Sequence, residues 1–237
     1  MRPLDVFKSL SVQNPTRAPS LIRLSSGVIL AFAASLCDQK HSPPGQCIRD
    51  AKAIRPTNWM ARSDDAGVSW STPQILPVPD GYDVPTPIYD PATNTVHVLL
   101  DWIYPWYAPA PHVGTSCSRC SRGSIRSVDE GMTWSAFANL TGSDASALSG
   151  KALTHGFATR SGTLVMASHG LGCRDDCKAD PADFKHAKDY LLRSTDGGAT
   201  WHDGGDAPFI GECALAELQN GSLLLTSRWW RRGCREP

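Results

Sequence analysis

One short motif occurs three times in this chain of 237 residues, and its spacing restricts the fold more than any other feature of the sequence. The motif reads Ser-x-Asp-x-Gly-x-Ser/Thr-Trp, and its copies end at Trp70, Trp134 and Trp201. Its aspartates, Asp65, Asp129 and Asp196, are separated by 64 and 67 residues. The carboxylate can accept backbone N–H bonds within its own turn, the glycine can adopt a positive φ, and the tryptophan can pack against a neighbouring strand. We therefore interpret the motif as a structural turn that recurs at a nearly fixed period.

A second repeat alternates with the first. Four apolar runs have the pattern strand, short turn, strand, and their turns centre on Gly27, Asn94, Gly162 and Gly221. No segment of comparable length shows a sustained helical periodicity, so these runs predict β-hairpins. A four-stranded unit of roughly 65 residues, repeated three and a half times, predicts an all-β propeller. The predicted units span residues 15–75, 82–140, 150–205 and 209–237, within one domain that covers 4–237.

The number of units is smaller than a closed ring needs, since propellers typically carry about four to eight blades. We therefore expect that the sequence is a truncated form or an incomplete gene product, and that the complete ring is a monomer. The alternative is an open arc that pairs with another chain.

Charge and hydropathy exclude several classes of partner. Lys and Arg total 23 and Asp and Glu total 23, which gives no basic footprint for nucleic acid. No apolar run approaches the roughly 18 residues of a membrane span, and the first residues lack the apolar region of a signal peptide.

Eight cysteines nevertheless favour an oxidising compartment. Cys37 and Cys47 bracket a proline-rich insertion, which is consistent with a disulfide framework in a protein of the secreted or endomembrane lumen. A lysosomal or cytoplasmic location is the alternative. The rival use of cysteine is a zinc site formed by Cys117, Cys120, Cys173 and Cys177. Because those pairs belong to different repeat units, we favour disulfides and expect neither a metal nor a cofactor.

The three motifs, known as Asp boxes, together with the interleaved hairpins resemble the exo-α-sialidases (neuraminidases), which are six-bladed β-propellers. Two segments make the resemblance more specific. "TRAPSLIRLSSGVILAFA" is similar to the opening strand pair of the family and puts Arg17 on the first of three substrate-binding arginines. "GECALAELQNGSLLLTSR" is similar to the family segment in which a glutamate begins one inner strand and an arginine ends the next. Here these are Glu212 and Arg228, sixteen residues apart.

The resemblance implies a retaining glycoside hydrolase that removes terminal sialic acid from glycans. Sialic acid carries a carboxylate at its anomeric carbon, which arginines can hold by bidentate hydrogen bonds. Sialidases use a Tyr nucleophile in place of a carboxylate. The resemblance then makes Glu212 the base that activates the phenol, and it makes Arg17 and Arg228 two of the three carboxylate-binding residues.

The chain departs from the family where the catalytic acid belongs. Two residues are candidates: Asp38 directly follows the first hairpin, and Asp50 lies fifteen residues before Asp65. We favour Asp50, with Arg49 as a displaced arginine of the same segment. None of the tyrosines matches the position of the nucleophile, so we expect the Tyr and the third arginine in later blades and little turnover from this chain alone. Two other interpretations remain: a non-catalytic Asp-box propeller that binds glycans or proteins, and a glycosidase of the same fold that acts on another sugar.

Overall fold

A computed structural model describes residues 16–35, 56–102, 122–140, 156–170, 188–207 and 211–229 of the protein. The described part of the chain contains strands and turns and no helix. The strands are β1 (Thr16–Arg23), β2 (Ile29–Ser35), β3 (Thr57–Ser63), β4 (Gln74–Ile75), β5 (Tyr82–Asp90), β6 (Thr95–Trp102), β7 (Arg122–Ser127), β8 (Ala138–Asn139), β9 (Phe157–Ala158), β10 (Leu164–Gly170), β11 (Lys188–Ser194), β12 (His202–Ala207), β13 (Gly211–Glu217) and β14 (Leu223–Trp229). None of the described segments could cross a membrane as an apolar helix.

The strands form three four-stranded sheets and one hairpin, and every pairing is antiparallel. Blade 1 is β1–β4, blade 2 is β5–β8, blade 3 is β9–β12, and β13 and β14 belong to a fourth blade. The predicted architecture is therefore confirmed: the sheets are the blades of an all-β propeller, and the chain holds about three and a half of them.

Each hairpin turns where the sequence predicts it. The turn residues Gly27, Asn94, Gly162 and Gly221 all have positive φ. In blade 1 the amide of Leu24 donates to Val28 O at 2.8 Å, and the amide of Gly27 donates to Leu24 O at 3.0 Å. A residue at this place must adopt the left-handed region, which glycine does without steric cost.

Three hydrophobic cores hold successive blades together, because the two faces of each sheet pack on different neighbours. The first core joins Leu30 and Phe32 of blade 1 to Val98 of blade 2. The second joins Leu99 of blade 2 to Leu164 and Met166 of blade 3, among others. The third joins Val165 and Ala167 to Cys213 and Leu215 of the fourth blade. Alternate residues of one strand therefore belong to different inter-blade contacts, as the two-residue period of a pleated strand requires.

Candidate functional site

The Asp boxes form turns at the end of the blades that also carries the hairpin turns. Asp65 accepts bonds from the amide of Ser69 at 2.8 Å, from the Ser69 hydroxyl at 2.6 Å and from the Ser63 hydroxyl at 2.8 Å. The same set of bonds surrounds Asp129 and Asp196. The glycines Gly67, Gly131 and Gly198 have φ between 83° and 90°.

Hydrogen bonding stabilises the ionised form of the box carboxylates. The Ser69 hydroxyl and amide, followed by the Ser63 hydroxyl, lower the pKa of Asp65 from 3.8 to about 2. The pKa values of Asp129 and Asp196 are also lowered to about 2, chiefly by the hydroxyls of Thr133 and Thr200. The Asp-box carboxylates accept hydrogen bonds within their own turns, so we assign them a structural role. A binding or catalytic site is therefore expected at the opposite end of the blades.

At that opposite end, one pair of positions recurs in blade 1, blade 2 and the fourth blade. Each pair consists of the second residue of the first strand and the next-to-last residue of the second strand, and we call this set the end row. Its paired members are Arg17 and Ala34, Asp83 and Asp101, and Glu212 and Arg228. Because blades repeat around an axis, equivalent positions lie on one face of the propeller. The end row therefore places arginine, aspartate and glutamate residues on that face.

The fourth blade places the two best sequence candidates opposite each other. Glu212 of β13 pairs in register with Arg228 of β14. Residues directly opposite in an antiparallel pair have Cβ atoms about 5 Å apart. The sixteen-residue separation in the sequence thus corresponds to a cross-strand pair, and Arg17 occupies in blade 1 the position that Glu212 occupies in the fourth blade.

A matching irregularity marks the first strands of blades 1 and 2. The register shifts by one residue between Arg17 and Ser20, and again between Asp83 and Thr86. The residue after each charged one has positive φ: Ala18 at 48° and Val84 at 58°. A β-branched residue with positive φ is a genuine outlier, and such strain is concentrated at functional sites.

The sequence analysis missed both end-row residues of blade 2, Asp83 and Asp101, and Asp83 could have been found. Its signal was present, because "RAPS" at 17–20 and "DVPT" at 83–86 have the same pattern of charged residue, apolar residue, proline and hydroxyl residue. Proline lacks the N–H that a strand ladder needs and is therefore typical of bulges. The repeat of this pattern aligns Asp83 with Arg17.

A buried polar cluster extends the end row from blade 2 to blade 3. Nε of Arg122 donates to Asp101 Oδ1 at 2.5 Å, and Nη2 donates to the Ser168 hydroxyl at 2.8 Å. The side chains of Arg122 and Asp101 are 0% and 1% exposed. Tyr190 hydrogen-bonds both Ser168 and Arg122. Burial opposes the charge of Arg122, yet its pKa is raised because the attraction of Asp101 and Tyr190 outweighs burial.

Tyr190 has the wrong surroundings for a nucleophile. It is 3% exposed, and burial raises the pKa of its phenol above the ordinary value of 10.0. A nucleophilic Tyr needs a nearby base that activates its phenol, and it needs access to the substrate. Tyr82 is also buried, and its hydroxyl donates to Asn139 at 3.1 Å.

Several predicted residues lie outside the described ranges. These are Asp38, Arg49 and Asp50, together with seven of the eight cysteines. Within the described ranges, no group of His, Cys, Asp and Glu residues has the arrangement of a metal site.

Comparisons with known proteins agree with this architecture. The family profile described as "BNR repeat-like domain" matches residues 59–235. The fold is similar to that of Hadza microbial sialidase Hz136, with a TM-score of 0.67, 21% identity, and coverage of 90% of this chain and 42% of that one. Trypanosoma rangeli sialidase in complex with sialic acid has a TM-score of 0.57 and 16% identity, over 90% of this chain and 34% of that chain. Zg3597, a family 117 glycoside hydrolase from Zobellia galactanivorans, has a TM-score of 0.57 and 11% identity, over 96% of this chain and 66% of that chain. This chain thus spans less than half the length of either sialidase.

Proposed function

The chain belongs to the BNR repeat-like domain family, and within that family we propose that it is a sialidase-like glycoside hydrolase that releases terminal sialic acid from glycoconjugates. One observation carries the proposal: Glu212 and Arg228 are paired in register in the end row, and Arg17 lies at the equivalent position of blade 1. The structural neighbours include sialidases and a glycoside hydrolase of another family, which supports the hydrolase class.

The chemistry of these residue types suits a sugar acid. Two guanidinium groups at end-row positions can bind a carboxylate in bidentate fashion, which a neutral sugar would not require. A glutamate beside one of these arginines can serve as a general base toward a phenol, since sialidases use a Tyr nucleophile. Either Asp50 or Asp38 would protonate the departing sugar oxygen.

Ligand binding tests the proposal more directly than turnover, because no tyrosine of this sequence matches the nucleophile. We expect the purified chain to bind 2,3-didehydro-2-deoxy-N-acetylneuraminic acid in a calorimetric or NMR titration. Arg228→Met removes a charge-assisted bidentate contact and should weaken binding by about tenfold or more, which is about 1.4 kcal/mol. Glu212→Gln should retain binding.

The matched control is Glu217→Gln, at the other end of the same strand. Glu217 lies near Arg160 of blade 3, with a carboxylate-to-Nε distance of 3.4 Å, and is remote from the end row. This variant should bind the sugar acid as the wild type does. Binding that is unchanged in both Arg17→Met and Arg228→Met would contradict the proposal.

A fluorogenic sialoside assay then separates enzyme from binding module. Hydrolysis that disappears in Glu212→Gln supports the enzyme. Binding without hydrolysis, also in a longer form of the protein that includes a matching tyrosine, would favour the non-catalytic Asp-box propeller. Binding of a neutral methyl galactoside in place of the sugar acid would favour a glycosidase for another sugar.

A further inference from the structure

We propose that Arg122 is a positioning residue of the candidate site: it holds the end row of blade 2 against blade 3 and thereby fixes the place of Asp83. Arg122 begins β7 and pairs with Asp101 of β6, which pairs in turn with Asp83 of β5. The three charged residues therefore form one line across the sheet, from its first strand to its third. The ligand-binding part of this inference rests on the proposed function.

Two buried aspartates lie opposite each other next to Arg122. Asp83 and Asp101 are 0% and 1% exposed. Like charges directly opposite in a sheet destabilise it, and burial increases the cost of each charge. The guanidinium of Arg122, which donates to Asp101 at 2.5 Å, offsets this repulsion.

The same guanidinium reaches the next blade. Its Nη2 donates to Ser168 of β10, and Tyr190 of β11 hydrogen-bonds both Arg122 and Ser168. Within the described part of the chain, Nη1 is buried and has no hydrogen-bond partner. Arginine presents its donors in a rigid plane, so fixing Asp101 and Ser168 at once also fixes the relative position of the two strand ends.

Blade 1 shows that the fold does not need charges at these positions. The equivalent pair there is Ala34 opposite Asn58, and both residues are buried. A buried ion pair can often be replaced by apolar side chains of similar volume without loss of stability. The ion pair of blade 2 is therefore better explained by placement of the end row than by stability.

The test separates stability from placement in one double variant. Arg122→Met alone removes the guanidinium that pairs with the buried Asp101, so it should lower both the thermal midpoint and the affinity for 2,3-didehydro-2-deoxy-N-acetylneuraminic acid. Asp101→Leu combined with Arg122→Met should restore the thermal midpoint and leave the affinity low. A displacement of about 1 Å at a binding site can cost roughly 10²-fold. Recovery of both quantities in the double variant would overturn the inference.

Arg122→Lys provides a second route if the double variant does not fold. Lysine retains the charge beside Asp101 but lacks the planar fork, so we expect a near-normal midpoint and weakened binding. Wild-type affinity in Arg122→Lys would contradict the inference. Arg62→Met is the control, because Arg62 links blade 1 to Glu130 of blade 2 at the Asp-box end, away from the end row. Its affinity should be unchanged.

Amide hydrogen exchange decides the inference without any ligand. In the double variant or in Arg122→Lys, β5 near Asp83 should exchange faster than in the wild type while β1 is unchanged. Unchanged exchange at β5 would overturn the inference. If the wild type does not bind the sugar acid, the proposed function fails, and the exchange result still decides the role of Arg122.

Discussion

Blades 1 and 2 present equivalent faces to the blade that follows each of them, and the two faces differ in chemistry. The face of β2 toward blade 2 consists of Leu30, Phe32 and Ala34, all buried. At the matching positions, the face of β6 toward blade 3 consists of His97, Leu99 and Asp101. Both contacts keep an apolar centre, whereas the second has a titratable group at each end.

The difference shows that the same backbone geometry of two blades accommodates either apolar or titratable side chains in the contact between blades. The glycines of the second and third Asp boxes pack on the preceding blade: Gly131 on Leu30 and Gly198 on the imidazole of His97. The same turn therefore covers an apolar side chain in one contact and a polar one in the other. We expect the packing of these faces to depend on burial in the first contact and to respond to charge and pH in the second.

The largest expected effect is at the Asp101 end of the second contact. Arg122→Met should lower the free energy of unfolding by about 3–5 kcal/mol, because it removes the charged partner of the buried Asp101 carboxylate. Asn58→Leu at the equivalent place in blade 1 should cost only about 1–3 kcal/mol, the range for a lost buried hydrogen bond, here from Nδ2 to Tyr82 O at 2.9 Å. Urea unfolding of both variants measures the contrast, and equal losses would contradict it.

The Asp-box glycines give the next contrast. Gly198→Ala and Gly131→Ala should each cost roughly 1–2 kcal/mol for a left-handed residue. At Gly198 the added Cβ would also lie 2.6 Å from Cε1 of His97, whereas at Gly131 it would lie 3.1 Å from the Leu30 methyl groups. Gly198→Ala should therefore be the worse of the two. A double-mutant cycle with His97→Ala checks the cause, since the excess should vanish when the ring is removed.

The pH dependence of stability should separate the contacts further. Burial lowers the pKa of His97 below its ordinary value of 6.5; Asp90 acts in the opposite direction, and Arg126 reinforces the shift. The contribution of neutral His97 to the free energy of unfolding is fully present above pH 6.5. It is lost as the pH falls below that value, because the unfolded chain then takes up a proton that the folded chain does not. The slope is at most about 1.4 kcal/mol per pH unit.

His97→Leu makes the second contact like the first and should abolish this slope. The Asp-box carboxylates provide a separate window, since their lowered pKa values stabilise the fold above about pH 3.8 and that contribution is lost as the pH falls toward 2. Thermal midpoints of the wild type and of His97→Leu, measured from pH 7.5 to 5, test the assignment of the slope to His97, and parallel curves would refute it.

The smallest effect is expected at the arginine that links blades 1 and 2. Arg62 bonds the backbone carbonyl of Glu130 and lies 3.4 Å from its carboxylate, and it also pairs with the exposed Asp64. Arg62→Met should cost about 0.2–1 kcal/mol, and the loss should shrink in high salt. Urea titrations at two salt concentrations measure it.

The sequence predicted the blades because their signals are local. Each Asp box and each hairpin turn is specified within ten residues, by glycines, hydroxyl groups and alternating apolar residues. The cross-strand pairing of Glu212 and Arg228 follows from a hairpin with a short turn, so their spacing carried the information.

The Arg122 cluster could not be found in this way. Its register with Asp101 depends on the long connection 103–121, and its contact with Ser168 depends on which face of β7 packs on blade 3. Neither is a property of one segment. The roles of Glu212, Arg17 and Arg228 remain predictions that the proposed binding and hydrolysis experiments address. The roles of Asp38 and Asp50, which lie outside the described residues, also remain predictions.

The bulges at Ala18 and Val84 have a consequence for how this gene can vary. Side chains alternate faces along a strand, so the one extra residue in β5 determines that Tyr82 lies in the first core and that Asp83 shares a face with Asp101. Loss of the single codon for Val84 would exchange these two assignments and move the Asp83 carboxylate to the face that packs in the apolar core. Replacement of Val84 by glycine would keep the count and relieve the positive φ. This strand end should therefore accept substitutions and reject insertions or deletions of one residue.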